Sequence, residues 1–253
     1  MSAGAPALDV AFTPADVRAT TVAVMLDVLR ASSTLAMALA SGYARVLCCD
    51  GVERAEALRG PGRVLAGERE CRPIPGFDHG NSPAALPPGR GRELVLTTSN
   101  GCPAILAAAA VADEVLVGSL LNLDAVVGAI ARDVDVTVVC AGTDGRFALE
   151  DAYVAGRLTA CLEGEPSDAV RAARRIAAAY PDAYEPLRES ADAAVLRATG
   201  QEDDIAFCAR DSVLDVVGEV TALAPGVATV SPRTATRSAT PGVTHKQSSI
   251  PAG

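Results

Sequence analysis

Residues 22–34 read VAVMLDVLRASST: five apolar residues, an acid, two more apolar residues, an arginine, and then small and hydroxyl side chains. The run from Val22 to Leu26 lacks period-2 alternation, which marks a strand covered on both faces. Asp27 and Arg30 follow at its carboxyl end. Ser32 and Ser33 then stand where a starting helix needs oxygens for its free amides. Strand, polar turn and helix together form the opening half of a crossover unit.

The unit recurs along the chain. Apolar runs at Val46 to Cys49, Val64 to Ala66, Leu94 to Thr97, Glu114 to Val117, Val134 to Cys140 and Val227 to Val230 read as further strands. Helical patterns fall at 33–40, 52–58, 103–111, 123–131, 149–162, 167–179 and 187–199. Such alternation predicts an α/β protein, a three-layer α/β/α fold built from βα units. Residues 72–92 hold five prolines and four glycines, so they read as one long loop, and loops of that length are usually functional. From Ser231 onward the chain is rich in Ser, Thr, Pro and Gly. Residues 1–230 are therefore expected to form a single domain and 231–253 a disordered tail.

Composition narrows the function. The 253 residues are 49% hydrophobic and 21% charged, a globular balance, and carry a net charge of −9 without any basic run. With aromatics at 3% and no Trp, base-stacking surfaces are absent, so a nucleic-acid partner is not expected. His79 and His245 are the two histidines, too few for a three-histidine zinc site, so any metal would be bound by oxygen. Seven cysteines without a C-x-x-C pair or a signal peptide point to a reducing cytoplasm. No apolar stretch is long enough for a membrane span. Homo-oligomerisation is left open.

Ligands of open α/β sheets bind beyond the carboxyl ends of the strands. There the chain places Asp27 and Arg30, Gly67-Glu68-Arg69, Thr97 to Gly101, Gly118-Ser119, and Cys140 to Gly145 followed by Glu150 and Asp151. Each has an ordinary reading as a cap, turn or ion pair, but five such ends exceed what capping needs. Gly-rich turns before helices suit phosphate, and a hard cation between carboxylates would offset the acidity. Two or three of Asp27, Glu68, Asp78, Glu150 and Asp151 would suffice to hold Mg²⁺. Neither a dinucleotide fingerprint nor a Walker A lysine follows a strand, so neither NAD nor ATP is expected. Cys140 and Arg146 have the spacing of a cysteine phosphatase loop, in which a thiolate attacks phosphate, although Asp144 would sit in the cradle.

Seven segments, in order, carry a family likeness: DVLRASSTLAMAL from Asp27, GER at 67–69, GFDHGNSPAAL from Gly76, LTTSNGCPAIL from Leu96, GSLLN at 118–122, CAGTDGRFALEDAYVAG from Cys140, and DDIAFCARDS from Asp203. Together they resemble the 2-phosphosulfolactate phosphatase family. The resemblance implies a Mg²⁺-dependent phosphatase that releases phosphate from 2-phosphosulfolactate to give sulfolactate, a step toward coenzyme M. It also implies an α/β/α fold with two intertwined similar halves. By match, Asp27, Arg30, Glu68, Asp78, Asn81, Ser82, Asn100, Gly101, Asn122, Cys140, Glu150 and Asp151 fall within the motifs, with Asp204 and Asp211 in the last one. The chain departs from the family pattern at Glu70 and Cys71, where glycines are usual, and at His79 and Cys102.

The resulting expectation is a phosphatase of a small phosphorylated hydroxy acid. Asp27, Glu68 and Asp78 would hold Mg²⁺, directly or through water. Arg30, with amides around Ser32-Ser33 and Asn100-Gly101, would bind the phosphoryl oxygens, and Asn81, Ser82 and Asn122 would complete the substrate site. Glu150 or Asp151 would orient the attacking water or protonate the leaving oxygen. Covalent attack by a carboxylate or by Cys140 is the alternative route. A catalytically inactive relative that binds a phosphorylated or sulfonated acid is the alternative function.

Overall fold

The computed structural model describes residues 5–233. Its strands are β1 (Ala7–Ala11), β2 (Thr20–Leu26), β3 (Arg45–Cys49), β4 (Arg63–Arg69), β5 (Arg72–Pro73), β6 (Glu93–Thr97), β7 (Ala112–Gly118), β8 (Val136–Cys140), β9 (Glu165–Pro166), β10 (Gly218–Ala224) and β11 (Val227–Pro232). Its helices are α1 (Ala31–Ala40), α2 (Val52–Ala57), α3 (Gly101–Ala109), α4 (Leu123–Ala129), α5 (Leu149–Ala160), α6 (Asp168–Ala178), α7 (Tyr184–Glu189), α8 (Ala191–Ala198) and α9 (Asp203–Cys208). The strands form one sheet in the order β5-β4-β6-β3-β11-β10-β7-β2-β8-β1-β9.

Two parallel blocks make up most of that sheet. One is β4, β6 and β3; the other is β7, β2, β8 and β1. The antiparallel hairpin β10–β11 lies between them and pairs antiparallel with β3 on one side and β7 on the other. Three antiparallel steps in succession leave the blocks running in opposite senses along the ladder. Neighbouring strands rotate by ~20–25°, so the five steps from β2 to β6 add up to a turn of roughly 100–125°. Helices α1 and α3 pack inside this curl against strands of both blocks. The carboxyl ends of the blocks consequently meet: Asp144, past β8, donates to Asn100, past β6, and Gly101 lies against Asp27, just past β2.

Burial on both faces explains the continuous apolar runs. Val46, Cys48, Leu94, Leu96, Ala23 and Met25 face α1 and α3 in the curl. Leu47, Leu65 and Val95 face Ala55 of α2, while Val24, Leu26, Val138 and Cys140 face Val154 and Leu158 of α5. Helices cover both faces of the sheet, as expected. The chain also weaves between the blocks, entering one with β1 and β2, building the other with β3 to β6, and returning with β7 and β8.

Several expectations change. Strands β1 and β10 and the short β5 and β9 add to the seven read from the sequence. The helix expected over 187–199 is broken at Ser190, whose extended backbone ends α7 and whose hydroxyl caps α8 at Ala193. The expected tail begins too early, because Ser231 and Pro232 pair with Glu219 and Gly218 in the sheet; 234–253 lie outside the described residues. The 72–92 loop is tied down by its backbone, with His79 accepting from Gly67 and Asn81 from Thr34.

Helices α5 and α6 approach so closely that a Cβ on Gly156 would collide with the Ala173 carbonyl and lie 2.8 Å from the Ala177 methyl. Gly156→Ala is therefore expected to lower stability by ~1–2 kcal/mol, although alanine favours helix by ~1 kcal/mol. Urea unfolding measures it; a stabilised variant would show that the helices separate freely.

Candidate active site

A cavity of about 210 Å³ opens at the meeting point of the two blocks. Asp27, Glu68, Glu70, Asp144 and Asp192 line it, and among the lining residues Arg30 is the only cation. The acid arises locally in each case. Asp27 leaves β2 as α1 begins: its Oδ1 accepts from the Ala31 amide at 3.0 Å, so one oxygen caps the helix. Its Oδ2 would stand 2.6 Å from a Cβ on Gly101, and for that reason the start of α3 has to be glycine.

Glu68 ends β4 and is held from two sides. Its Oε1 accepts from Ser99 N at 2.7 Å and its Oε2 from Cys71 N at 2.9 Å. The turn between these contacts puts Glu70 at φ +52° and Cys71 at φ +60°, a left-handed conformation that suits glycine better than either residue. This is the physical counterpart of the glycines expected there. Asn81 also lines the cavity, is 3% exposed, and has an Oδ1 with no hydrogen-bond partner. A buried amide oxygen left unpaired costs free energy, so this group is available to a ligand.

Behind the cavity lies a second layer of acids. Asp151 accepts from Val28 N at 2.9 Å and Gly142 N at 3.1 Å, clamping the β2–α1 turn to the β8–α5 loop. Burial pushes it up to about 7, against the pull of those amides. Glu150, 2% exposed, is driven well above the carboxylate range by burial, then by Asp151 and Asp192. Asp192 lies close enough to Glu150 that the two carboxyls perturb each other. Asp192 itself is raised by burial and accepts from Thr143 Oγ1 at 2.8 Å. Burial likewise lifts Asp27 well above its ordinary value, with Asp151 adding to it.

Other candidates are placed elsewhere. Asp78 uses its Oδ2 to accept from Leu65 N at 2.8 Å, early in β4, and does not line the cavity. Ser32 and Ser33 turn their hydroxyls onto the Asp27 and Val28 carbonyls, both fully buried in the turn. Ser82 donates to Asp204 at 2.6 Å. Asn100 lines the cavity, but its Oδ1 accepts from Asp144 N. Asn122 is a structural cap whose amide reaches Ser119, Val117 and Val216. Glu150 and Asp151 sit behind the wall rather than in it.

Cys140 is fully buried, and burial pushes its thiol well above the ordinary value, with Asp151 and Glu150 adding to the effect. Five amides of its loop are already engaged: Ala141 by Leu26 O, Gly142 by Asp151, Thr143 and Arg146 by each other's carbonyls, and Asp144 by Asn100. Burial of the thiol and engagement of these amides disfavour a thiolate held beside a phosphate cradle. Among the described residues no three His, Cys, Asp or Glu side chains converge closely enough to form a metal site of their own. Among the described residues no helix is long and apolar enough to cross a membrane.

Sequence reasoning missed Asp192, Thr143 and Val195 as lining residues. The one available signal was Ser190, a cap that starts a new helix and so sets the phase of Asp192. A larger groove of about 860 Å³ lies at the opposite end of the sheet, beside Val136 at the start of β8, and does not contain this acid cluster.

The family model for 2-phosphosulpholactate phosphatase matches residues 10–223, which include every segment that builds the cavity. This chain belongs to the 2-phosphosulfolactate phosphatase family. Among its relatives, a protein of Thermus thermophilus named "Probable 2-phosphosulfolactate phosphatase" is 40% identical over 198 residues, 75% of this chain and 83% of that one. One of the same name in Thermotoga petrophila is 36% identical over 83% of this chain and 93% of its own. The 2-phosphosulfolactate phosphatase of Methanothermobacter thermautotrophicus is 37% identical over 75% of this chain and 82% of its own. The family is one of phosphoric monoester hydrolases, and its model runs from the end of β1 through both blocks into β10, stopping before β11.

The raised carboxyls set a pH dependence. Between the ordinary carboxylate range and about pH 7 Asp151 stays protonated in the folded chain but ionises in the unfolded one, so raising the pH removes stability, and the upward shifts of Asp27, Glu150 and Asp192 act in the same direction. The melting temperature of EDTA-treated protein is expected to fall between about pH 5.5 and about pH 8, and a rise across that window would contradict the buried acid layer.

Proposed function

We propose that this chain hydrolyses the phosphate ester of a small acidic hydroxy acid, 2-phosphosulfolactate first among them, giving sulfolactate and phosphate with the help of Mg²⁺. The observation that carries the reading is the charge of the cavity: five acids and one arginine face a space that an anionic substrate must enter. Such a substrate is repelled unless a cation comes with it. The donors fit a hard ion, all being oxygens, with the free lone pairs of Asp27 and Glu68 and the orphan Asn81 Oδ1 at the wall. Mg²⁺ is ordinarily held by one or two carboxylates and several waters, so a three-acid cluster is not required. Asp27 and Glu68 would hold it; bound there, it would neutralise charge on the phosphoryl oxygens.

The remaining work belongs to the chain. Arg30 offers guanidinium N–H groups to the phosphoryl or acid oxygens. Water bonds to phosphorus as the ester P–O bond breaks, and Asp192, at the cavity wall with its carboxyl raised by burial, protonates the departing oxygen. The water leaves one hydrogen on the released phosphate and gives up the other, which restores the Asp192 proton. A cytoplasmic setting suits the free thiols of all seven cysteines.

Phosphate release from a panel of phospho-hydroxy acids tests the reading. EDTA should abolish turnover and Mg²⁺ restore it; undiminished hydrolysis in EDTA would remove the metal. Asp192→Asn is expected to lower kcat by ~10²–10³-fold with a much smaller change in KM. Phosphate binding without turnover of any ester would leave an inactive binder.

A further inference from the structure

Arg30 is 2% exposed and lies in a wall of carboxylates, where an unrestrained guanidinium would turn onto Asp27 or Glu68 and be lost to the substrate. It is held away from them by residues far along the chain. Its Nη1 donates to Asp204 Oδ2 at 2.7 Å and to Gln201 Oε1 at 2.5 Å. The other Asp204 oxygen accepts from Ser82 Oγ at 2.6 Å, and the Gln201 amide donates to the Cys71 carbonyl at 2.5 Å. Four segments are tied together here: the β2–α1 turn, the β4–β5 turn, the 72–92 loop and the start of α9. Both Nη1 hydrogens are used, while the single contact of Nη2, to Cys71 O, is long at 3.5 Å. The Nε hydrogen and one Nη2 hydrogen remain for a ligand.

We propose that Asp204 and Gln201 are positioning residues that aim Arg30 at an oxyanion in the cavity. Asp204 sets its charge and direction, and Gln201 locks the guanidinium to the strained Glu70–Cys71 turn. The arrangement explains how one arginine stays available among five acids. It also assigns a role to Asp204, which is itself 3% exposed and touches no ligand position. The inference rests on the phosphatase reading of the same cavity.

The test is calorimetric binding of inorganic phosphate to the full chain in Mg²⁺, beside steady-state kinetics. Asp204→Asn should weaken phosphate binding by about tenfold and raise KM more than it lowers kcat; Gln201→Ala should weaken binding by about threefold. Both losses should shrink to within about twofold in an Arg30→Ala background, because both act through that side chain. Equal losses with and without Arg30, or wild-type phosphate affinity in folded Asp204→Asn, would overturn the proposal. If Asp204→Asn does not fold, the Gln201→Ala cycle decides on the same criterion. A wild-type chain that neither binds phosphate nor releases it from any ester would instead overturn the phosphatase reading, and this inference with it.

Discussion

Taking Asp27, Glu150 and Asp151 out of water costs of order several kcal/mol per charge unless protons, cations or oriented amides compensate. Much of the local architecture supplies that compensation. The start of α1 offers Ala31 N to Asp27, the turns on either side of Asp151 offer Val28 N and Gly142 N, and burial holds Glu150 toward its neutral form. The amides that hold these acids are those of the turns beyond β2 and β8, so the loops are fixed by the groups they serve. What the amides leave uncompensated is negative charge facing the cavity, where five acids surround a single arginine.

The apolar strands were legible because burial on both faces leaves no alternation to mistake. Strand β10 was not, since its outer half is exposed and reads as Thr-Ala-Leu-Ala without a clear period. Strand β1 is five residues long with Asp9 in its middle, too short to register. The opposed sense of the two blocks was also hidden, because a strand does not encode which neighbour it pairs with.

The site divides similarly. Asp27, Glu68, Arg30 and Asn100 stand at strand ends, and the rule about carboxyl ends of strands found them, whereas Asn81, in the long loop, was reached only through the family likeness. Asp78 is three residues from Asn81, yet in an irregular loop that spacing fixes no shared direction, and a backbone amide claims the carboxylate. The partner of Arg30 lies 174 residues away, a distance no local pattern bridges. The Cys140 to Arg146 spacing misled for a related reason: a loop's length says nothing about where its amides are already spent.

The hairpin that joins the two blocks is made from nearly the last described residues of the chain. Until it slots between β3 and β7, the acids of one block and those of the other have no common ladder to set their separation. Without it the sheet would be two separate ladders, and α1 and α3 alone would hold the two sets of acids in register.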